Sequence, residues 1–544
     1  MPLSLDGRSL GLDDVVRVAR PPPTECCSVA LDPKARDRLA RARAHVESKW
    51  LNGTPGAIYG FNTGVGRLMD WTVPPDRMTE FQRLLVNAHG AGTGPPFPED
   101  VVRATMLLRA NANARGHSGV RPDVVERLLS MLQAGVHPVV PQKGSVGASG
   151  DLAPLAYISA ALMGHPRAEV TYRGERMAAA AALRQAGLSA AFDLEAKEAL
   201  ALLNGSTVSL AVATLASHDA VTLALSSEVA LAMTMEALRA DLTPFDNRIH
   251  AARPHPGQLQ TATAVRQLLE GSERCSAPRA SGVPGDPGVP LPRGRLQDAY
   301  SIRCAPQVHG PVRDALRYVR NILRVELNSA TDNPLMFPVD DASSSYDVLS
   351  GGNFHGQYIA QAMDLLALAT TDLGSISERR ASRLLDPSTS FGLPVNLVAG
   401  DPGLNTGFSV AQCSMAALVA ENRTLSVPAS ADSIPTKSNQ EDHISNSTWC
   451  SRKAAEVVRN ALAIVSIELL MATQALAVAE PKAPRCRLGR GTQPVYSLIR
   501  DSVPASFDGD RWIHDDIGTI AGLVETGAVL DAARMAFSDG VDKI

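Results

Sequence analysis

The sequence predicts a mainly α protein, a bundle of long helices with a smaller N-terminal lobe. Aromatic residues make up only 4% of the 544 residues, and Ala and Leu dominate the apolar fraction. This composition favours helices packed on helices over a core built from sheets. Strand signals are few, whereas long apolar stretches without helix breakers recur from the middle of the chain onwards.

Four long helices are expected. The first is predicted to begin after Asp193, a suitable N-cap, and to run to Asp241, with Gly205 as its main interruption and Pro244 beyond its end. Further patterns predict helices over about 313–330, 354–383 and 448–480, the last ended by Pro481. Because these stretches are apolar on more than one face, we expect them to be buried against one another.

Shorter signals complete the expected layout. The stretch EVTYRGE near 168–173 predicts a β-hairpin. The segment 276–295 is rich in Pro and Gly and predicts a surface loop, and residues 481–510 have a similar loop character. The expected divisions are an N-terminal lobe (1–205), a central long-helix bundle (206–480) and C-terminal loop and helices (481–544).

Charge and hydropathy narrow the possible partners. A net charge of −4 gives no reason to expect nucleic acid or an anionic membrane. The most apolar region, 199–238, contains Asn204, His218, Asp219 and Glu228, so a buried helix is expected rather than a membrane span. The seven cysteines are scattered without a CxxC motif, and no secretion signal is visible. We therefore expect a cytoplasmic protein.

Residues 144–158, GSVGASGDLAPLAYI, place a run of very small side chains just before a helix. A flexible loop, a phosphate cradle or a backbone that reacts with itself would each explain the run. The phosphate cradle is disfavoured, because Lys143 precedes the glycines and the acidic Asp151 follows them. GHSGV at 116–120 is not a nucleophile elbow, since Val120 stands where glycine is required. No HExxH motif or close Cys/His cluster predicts a metal site.

A self-reacting backbone needs Ala148, Ser149 and Gly150 for a chemical reason. The amide nitrogen of Gly150 attacks the carbonyl carbon of Ala148 only if no side chain blocks the approach, and glycine has none. Loss of one water closes a five-membered ring, and loss of a second water from Ser149 leaves an exocyclic methylidene. The product is an electrophile that no standard side chain provides. Asp151 and the helix start are expected to hold the bent backbone.

Seven blocks of the chain follow the order found in one enzyme family. They are AIYGFNTGVG (57–66), VNAHGAGTG (86–94), GSVGASGDLAPLA (144–156), KEALALLNGS (197–206), LQDAYSIRCAPQVHG (296–310), SGGNFHGQ (350–357) and PTKSNQEDHIS (435–445). Together they resemble the aromatic amino acid ammonia-lyases, which build 4-methylideneimidazol-5-one (MIO) from Ala-Ser-Gly. The resemblance implies a helical enzyme that eliminates ammonia from an L-aromatic amino acid and leaves an α,β-unsaturated acid.

The resemblance also implies roles for individual residues. The MIO of residues 148–150 would add to the substrate amine, and Tyr59, on a mobile loop in the family, matches the base that takes the β-proton. Arg303 fits bidentate binding of the substrate carboxylate, with Asn353 in support. The other matched residues surround the reacting groups: Tyr300 and Asn204 next to the MIO, Gln297 orienting the reactants, and Phe354 lining the pocket.

Members of this family combine residues of several subunits in each active site, so the resemblance implies a homotetramer with shared sites. An aminomutase, which returns ammonia to the β-carbon, uses the same residues and stays open as an alternative. A non-catalytic binding or scaffold relative is disfavoured by the intact Ser149, Tyr59, Tyr300 and Arg303. A hydrolase is disfavoured because no Ser–His pair is indicated.

The selectivity positions indicate the substrate. Ala88 and His89 resemble the Ser-His pair of histidine ammonia-lyases more than the Phe-Leu or His-Leu of phenylalanine and tyrosine enzymes. Glu441 accepts a hydrogen bond from an imidazole but gains nothing beside a phenyl ring. Three features depart from the histidine-lyase pattern: Tyr157, HGQY after Phe354, and Lys437, which either pairs with Glu441 or contacts a polar ring substituent. L-Histidine is the first expectation, and phenylalanine or tyrosine is the alternative.

Overall fold

The structure, a computed structural model, describes residues 2–22, 28–51, 56–275, 297–340, 345–479 and 486–538. Its chain forms two compact units. The first comprises Met1–His218, Arg320–Asp364 and Pro428–Arg452, and the second comprises Asp219–Val319, Leu365–Val427 and Lys453–Ile544. The three-part division of the chain expected from the sequence stays a prediction.

Most of the described residues are helical, which confirms the predicted fold class. The helices are α1 (Leu12–Ala19), α2 (Pro33–His45), α3 (Met78–His89), α4 (Glu99–Ala114), α5 (Pro122–Gln133), α6 (Leu152–Met163), α7 (Ala179–Gln185), α8 (Glu198–Leu203), α9 (Thr207–Leu238), α10 (Asn247–Ala251), α11 (Pro256–Leu268), α12 (Tyr300–Arg303), α13 (Ala305–Glu326), α14 (Gln357–Leu385), α15 (Pro387–Ser390), α16 (Ser409–Leu425), α17 (Ser447–Ala479), α18 (Thr492–Ser502), α19 (Ile513–Glu525) and α20 (Ala528–Ala533).

The strands of the described residues all lie in the first unit. They are β1 (Leu3–Leu5), β2 (Val29–Leu31), β3 (Thr93–Pro96), β4 (His137–Pro138), β5 (Pro141–Lys143), β6 (Glu169–Tyr172), β7 (Glu175–Ala178), β8 (Leu335–Pro338) and β9 (Tyr346–Leu349). The β1–β2 pair is parallel, and the pairs β3–β5, β4–β6, β6–β7 and β8–β9 are antiparallel. The β6–β7 hairpin confirms the prediction near 168–173. Its two-residue turn, Arg173-Gly174, has positive φ at both positions, as hairpin turns favour.

Helix packing in the first unit places the small-residue run of the sequence. Helix α6 packs against α3 and α8, and α4 packs against α1 and α5. The loop 144–151 leads into α6, and residues 204–206 follow α8. Packing of α6 on α8 therefore brings these two junctions side by side.

Long helices of the second unit are joined by buried ion pairs. Arg313 of α13 lies 2.6 Å from Glu228 of α9, and Arg380 of α14 lies 2.6 Å from Glu468 of α17. All four side chains are almost completely buried. Removing one partner of such a pair leaves an uncompensated charge in the core, so these pairs penalise other arrangements of the helices.

Three predicted long helices are confirmed, with shifted ends. The pattern over 313–330 corresponds to α13, which begins at Ala305 and ends at Glu326, while 354–383 and 448–480 correspond to α14 and α17. The helix predicted from Asp193 to Asp241 is wrong in its N-terminal part. Helix α8 begins only at Glu198, and a non-helical junction separates α8 from α9. The cause is tertiary: Asn204 is extended and Gly205 has a φ of 135°, which turns this junction towards Gly150.

The loop character expected for 481–510 is also wrong in part. Helix α18 occupies Thr492–Ser502, with Val495 and Ile499 buried one turn apart. This short amphipathic pattern was masked by the Pro, Gly and Arg residues around it. The predicted loop 276–295 and the helix end at Pro481 lie outside the described residues.

Two helices, Thr207–Leu238 and Ser447–Ala479, are long and apolar enough to cross a membrane by length and composition alone. In their most apolar windows, 78% and 89% of the residues are buried inside the protein. Such burial is typical of core helices. It agrees with the buried helix predicted over 199–238.

Candidate active site

The tripeptide Ala148-Ser149-Gly150 lies between strand β5 and helix α6. Two glycines before it, Gly144 and Gly147, and Gly150 within it have φ values of 131°, 69° and 74°, which residues with L side chains rarely adopt. Ala148 and Gly150 are buried and Ser149 is half-buried. The small residues therefore allow the backbone to adopt one defined, partly buried conformation. A flexible loop is disfavoured as the explanation of the run.

Gly150 lies directly against Gly205. A Cβ atom at Gly150 would be 2.2 Å from the carbonyl carbon of Gly205, so no side chain fits there. The amide of Asp151 donates a 2.9 Å hydrogen bond to the carbonyl oxygen of Gly205. Gly205 is equally confined, because its Cβ would be 2.5 Å from Nη1 of Arg109. These two glycines allow the α8–α9 junction to lie on the tripeptide backbone.

The carboxylate of Asp151 is fully buried and ties the tripeptide to two long helices. Its Oδ2 accepts a 2.7 Å hydrogen bond from the amide of Ser209, in the first turn of α9. Its Oδ1 accepts hydrogen bonds of 2.8, 2.9 and 2.6 Å from the hydroxyls of Ser145, Ser209 and Thr448. A negative charge at the N-terminus of a helix is favourable. This geometry agrees with the expected role of Asp151 in holding the bent backbone.

Asn204 contacts the tripeptide at its middle carbonyl. The Nδ2 of Asn204 donates a 2.6 Å hydrogen bond to the main-chain oxygen of Ser149. The main-chain oxygen of Asn204 accepts a 2.8 Å bond from Nη1 of Arg109, which is completely buried. Arg109 was not anticipated from the sequence, since no local pattern marks its contact across 95 residues.

Glu441 faces the hydroxyl of Ser149. Ser149 Oγ donates to Oε1 of Glu441 at 2.5 Å, and Nζ of Lys437 lies 3.1 Å from the same oxygen. Thr436 Oγ1 donates to Oε2 at 2.9 Å. Burial raises the pKa of Glu441, but the hydrogen bonds and the charge of Lys437 outweigh burial and hold the pKa below its usual value. Glu441 is thus an ionised acceptor beside Ser149, and Lys437 pairs with it.

His89 ends helix α3 as a half-buried, neutral imidazole. Its Nδ1 lies 2.7 Å from the carbonyl oxygen of Leu85. Because a carbonyl only accepts, we assign the hydrogen to Nδ1, which leaves Nε2 as an acceptor. Burial lowers the pKa of His89, and the nearby charge of Lys437 lowers it further. The neighbouring Ala88 is exposed.

Tyr59 lies on the loop 57–66, which the structure places beside the Glu441 turn. Its hydroxyl oxygen accepts a 3.0 Å hydrogen bond from the amide of Gly66. The adjoining 3-10 turn, Gly66–Leu68, packs against the 3-10 turn Lys437–Asn439. The tyrosine loop and the turn that leads to Glu441 therefore belong to one site.

A buried ion pair, Lys197–Asp332, lies next to the tyrosine loop. Nζ of Lys197 lies 2.6 Å from Oδ2 of Asp332, and neither side chain is exposed. Asp332 also accepts a 2.9 Å bond from Ser118, and Lys197 lies 5.7 Å from the ring centroid of Phe61 in the tyrosine loop. Lys197 caps α8, the helix that ends at Asn204. The pair was not predicted from the sequence, because a lysine at the start of a helix is common and gives no sign of a buried partner.

Asn353 and Phe354 lie in the segment before α14. The exposed Asn353 donates a 3.3 Å hydrogen bond to the carbonyl of Ala330. The carbonyl of Phe354 accepts a 2.8 Å bond from the hydroxyl of Ser206, which follows Asn204 and Gly205. The amide of Gly356 donates to the carbonyl of Gly147 at 3.1 Å. This segment is thus fixed to the tripeptide loop.

Gln297, Tyr300 and Arg303 belong to the second unit, whereas the other matched residues belong to the first. Tyr300 begins the short helix α12 and is 70% exposed. The guanidinium carbon of Arg303 lies 4.6 Å from the centroid of the Tyr300 ring, which orients the planar fork. Gln297 is exposed. Within the described part of the chain, no group of three or more His, Cys, Asp or Glu side chains is placed to hold a metal ion.

The helical fold, this site and the similarity to known proteins together define an enzyme of the carbon–nitrogen lyase class. The sequence model of the family described as aromatic amino acid lyase matches residues 10–501. Histidine ammonia-lyase of Alkaliphilus metalliredigens is 41% identical over 536 residues, which cover 98% of this chain and 99% of that protein. The chain belongs to the aromatic amino acid lyase family.

Solved structures agree with this assignment. Histidine ammonia-lyase from Trypanosoma cruzi is 37% identical with a TM-score of 0.87, and the match covers 100% of this chain and 98% of that one. Tyrosine aminomutase from Streptomyces globisporus is 36% identical with a TM-score of 0.88, over 99% and 100% of the two chains. The fold of this chain is therefore shared by a lyase and an aminomutase.

Proposed function

We propose that this protein is an MIO-dependent ammonia-lyase that converts L-histidine to urocanate and ammonia. The observation that carries the proposal is the tripeptide 148–150, whose middle carbonyl is bound by Asn204 and whose middle hydroxyl faces Glu441. Similarity over nearly the full chain to histidine ammonia-lyases supports the same substrate.

The residues present fit the MIO group. Gly150 has no side chain to shield its main-chain nitrogen. The bent backbone at Gly150 is fixed by its contact with Gly205 and by the hydrogen bond of the Asp151 amide. Ser149 supplies the hydroxyl that leaves as the second water. The MIO supplies an electrophile for the substrate amine, which becomes a better leaving group. The amide of Asn204 stabilises negative charge that develops at the Ser149 carbonyl oxygen.

Side chains of this protein remove the β-proton and bind the substrate carboxylate. Tyr59 takes the β-proton of the substrate, and its hydroxyl is oriented by the amide of Gly66. Arg303 binds the substrate carboxylate with its planar fork, and Asn353 supports that contact. The other proposed contacts are with Tyr300 next to the MIO, Gln297 orienting the reactants, and Phe354 on the pocket wall.

Histidine is favoured by two acceptors, Glu441 beside Ser149 and His89, which interacts electrostatically with Glu441. The carboxylate of Glu441 is ionised, and Nε2 of His89 is free to accept. An imidazole N–H adds a hydrogen bond to such an acceptor, whereas a phenyl ring offers no donor and takes water away from the carboxylate.

We also infer a homotetramer whose active sites combine residues of several subunits. The resemblance implies this assembly, and the 70% exposure of Tyr300 supports it, because a large aromatic side chain gains burial at a subunit interface. The expected location of the enzyme is the cytoplasm.

An aminomutase is the second candidate, favoured by the similarity to tyrosine aminomutase from Streptomyces globisporus. Incubation with L-histidine, L-phenylalanine and L-tyrosine separates the candidates when both unsaturated acids and β-amino acids are measured. We expect urocanate as the dominant product. Cinnamate or coumarate as the main product would overturn the choice of histidine, and a β-amino acid would identify an aminomutase.

A further inference from the structure

Lys437 has no role in the elimination steps, yet a defined turn holds it in the site. Thr436 and Glu441 form an antiparallel bridge that closes the turn, and the amide of Thr436 donates a 2.8 Å bond to the carbonyl of Glu441. Inside the turn, Lys437 and Asn439 have φ values of 30° and 59°. Backbone conformations of this kind are unfavourable for side-chain-bearing residues and are retained where the surroundings enforce them.

Lys437 and Ser149 share one oxygen of Glu441. Nζ of Lys437 lies 3.1 Å from Oε1, and the Ser149 hydroxyl donates to the same atom at 2.5 Å. Formation of the MIO removes that hydroxyl as water. Oε1 would then keep Lys437 as a partner and have one acceptor position free for a bound substrate. A substrate ring bound there meets a carboxylate whose charge is already balanced by an ammonium.

We propose that Lys437 makes this site selective for the uncharged imidazole ring and excludes the imidazolium form. The inference rests on the proposed function. A neutral imidazole donates its N–H to Glu441 and carries no charge for Lys437 to repel. An imidazolium bound to Glu441 would place a second cation close to the ammonium, and a nearby like charge disfavours the charged form of the ring. The Glu441 side chain is 17% exposed and that of Lys437 is 51% exposed, so solvent weakens this repulsion without removing it. Without Lys437, the Glu441 carboxylate alone would favour the cation.

Among the described groups around the Lys437–Glu441 pair, Lys437 is the cation that directly neutralises the carboxylate. Burial lowers the pKa of His89 from α3, which favours its neutral form, and Thr436 contributes only a hydroxyl. Arg67 and Lys437 are both exposed, but Lys437 pairs directly with Glu441 at 3.1 Å, whereas Arg67 lies on the 3-10 turn that packs against Lys437–Asn439. Arg67 therefore offers a matched control, since it is a cation on the adjoining turn.

The proposal is tested by the binding of two isosteric ligands to the full-length protein after MIO has formed. The probes are 3-(imidazol-4-yl)propanoate and its 1,2,3-triazole analogue, whose ring stays uncharged, each titrated by calorimetry at pH 5.5 and pH 8.0. An imidazole with a pKa near 6.5 is about one-tenth neutral at pH 5.5. We expect the native protein to bind the imidazole ligand about tenfold more weakly at pH 5.5, relative to the triazole. Lys437→Met should reduce this loss to about threefold or less, because the ammonium that repels the imidazolium is gone while Thr436 still donates to Glu441.

Two controls sharpen the test. Lys437→Arg keeps the charge and should keep the tenfold loss, and Arg67→Met should keep it as well. The same tenfold loss in Lys437→Met, or no loss in the native protein, would overturn the inference. Failure of the proposed function is a separate result: the native protein would then form no urocanate from L-histidine at pH 8.0.

Discussion

The side-chain amide of Asn204 donates a 2.6 Å hydrogen bond to the main-chain carbonyl oxygen of Ser149. Ser149 is the middle residue of the tripeptide, and Asn204 is held in turn by the buried Arg109. A fixed amide donor aimed at this oxygen stabilises negative charge more effectively than water, which must reorient.

Replacing Asn204 therefore tests its contribution to catalysis. Asn204→Ala should lower kcat by about 10²–10³-fold, the usual effect of losing one such donor. The variant should still weigh two water molecules less than its own sequence mass, since the tripeptide itself is intact. Asn321→Ala, on an exposed part of α13, is the control and should leave kcat unchanged. Native kcat in Asn204→Ala would contradict the assigned role.

Tyr59→Phe keeps the aromatic ring and removes the hydroxyl that takes the proton. Loss of a general base typically lowers the rate by about 10²–10⁴-fold, so kcat should collapse while KM changes little. Steady-state kinetics with L-histidine measure both constants. Tyr318→Phe, at an exposed tyrosine of α13, is the matched control. If Tyr59→Phe turned over at the native rate, Tyr59 would only cover the site.

Gly150→Ala tests the close approach of Gly150 to Gly205. The new Cβ would lie 2.2 Å from the carbonyl carbon of Gly205, so the backbone must shift and MIO formation should fail. Intact-mass measurement should show no loss of water, and activity should be absent. Gly174→Ala is the matched control, because Gly174 also has a positive φ but has open space around its Cβ position. A Gly150→Ala chain that lost two waters would refute the steric argument.

Lys197→Met should destabilise the fold. The substitution leaves the carboxylate of Asp332 buried without its cation, which typically costs about 3–5 kcal/mol of unfolding free energy. Chemical denaturation followed by circular dichroism measures the change. Arg176→Met breaks the exposed pair with Glu169 and should cost less than about 1 kcal/mol. Equal stability of the two variants would show that the buried pair is not a support of the site.

Local patterns in the sequence predicted part of this architecture well. The hairpin at 168–173 and the long helices α13, α14 and α17 follow from turn residues and apolar runs, because these signals act over a few neighbouring residues. The tripeptide was marked by its composition alone. Its partners Asn204 and Glu441 were assigned through family resemblance, since no local rule connects residues so far apart in the chain.

Tertiary contacts override the local sequence preference in the parts of the structure that were not predicted. The α8–α9 break lies within an apolar run typical of one continuous helix, yet the approach of Gly205 to Gly150 requires an extended junction. Arg109 and the Lys197–Asp332 pair gave no signal, because a buried charge is defined by its partner and not by its neighbours in sequence. The relation between Lys437 and Glu441 was left open for the same reason.

The most direct test of the central claim is the intact mass of the purified native chain beside that of Ser149→Ala. Conversion of residues 148–150 to MIO predicts a native mass lower than the sequence mass by two water molecules. Ser149→Ala should have its full sequence mass and native-like circular dichroism, with turnover of L-histidine nearly abolished. A native chain that carries its full sequence mass and still forms urocanate would contradict the claim.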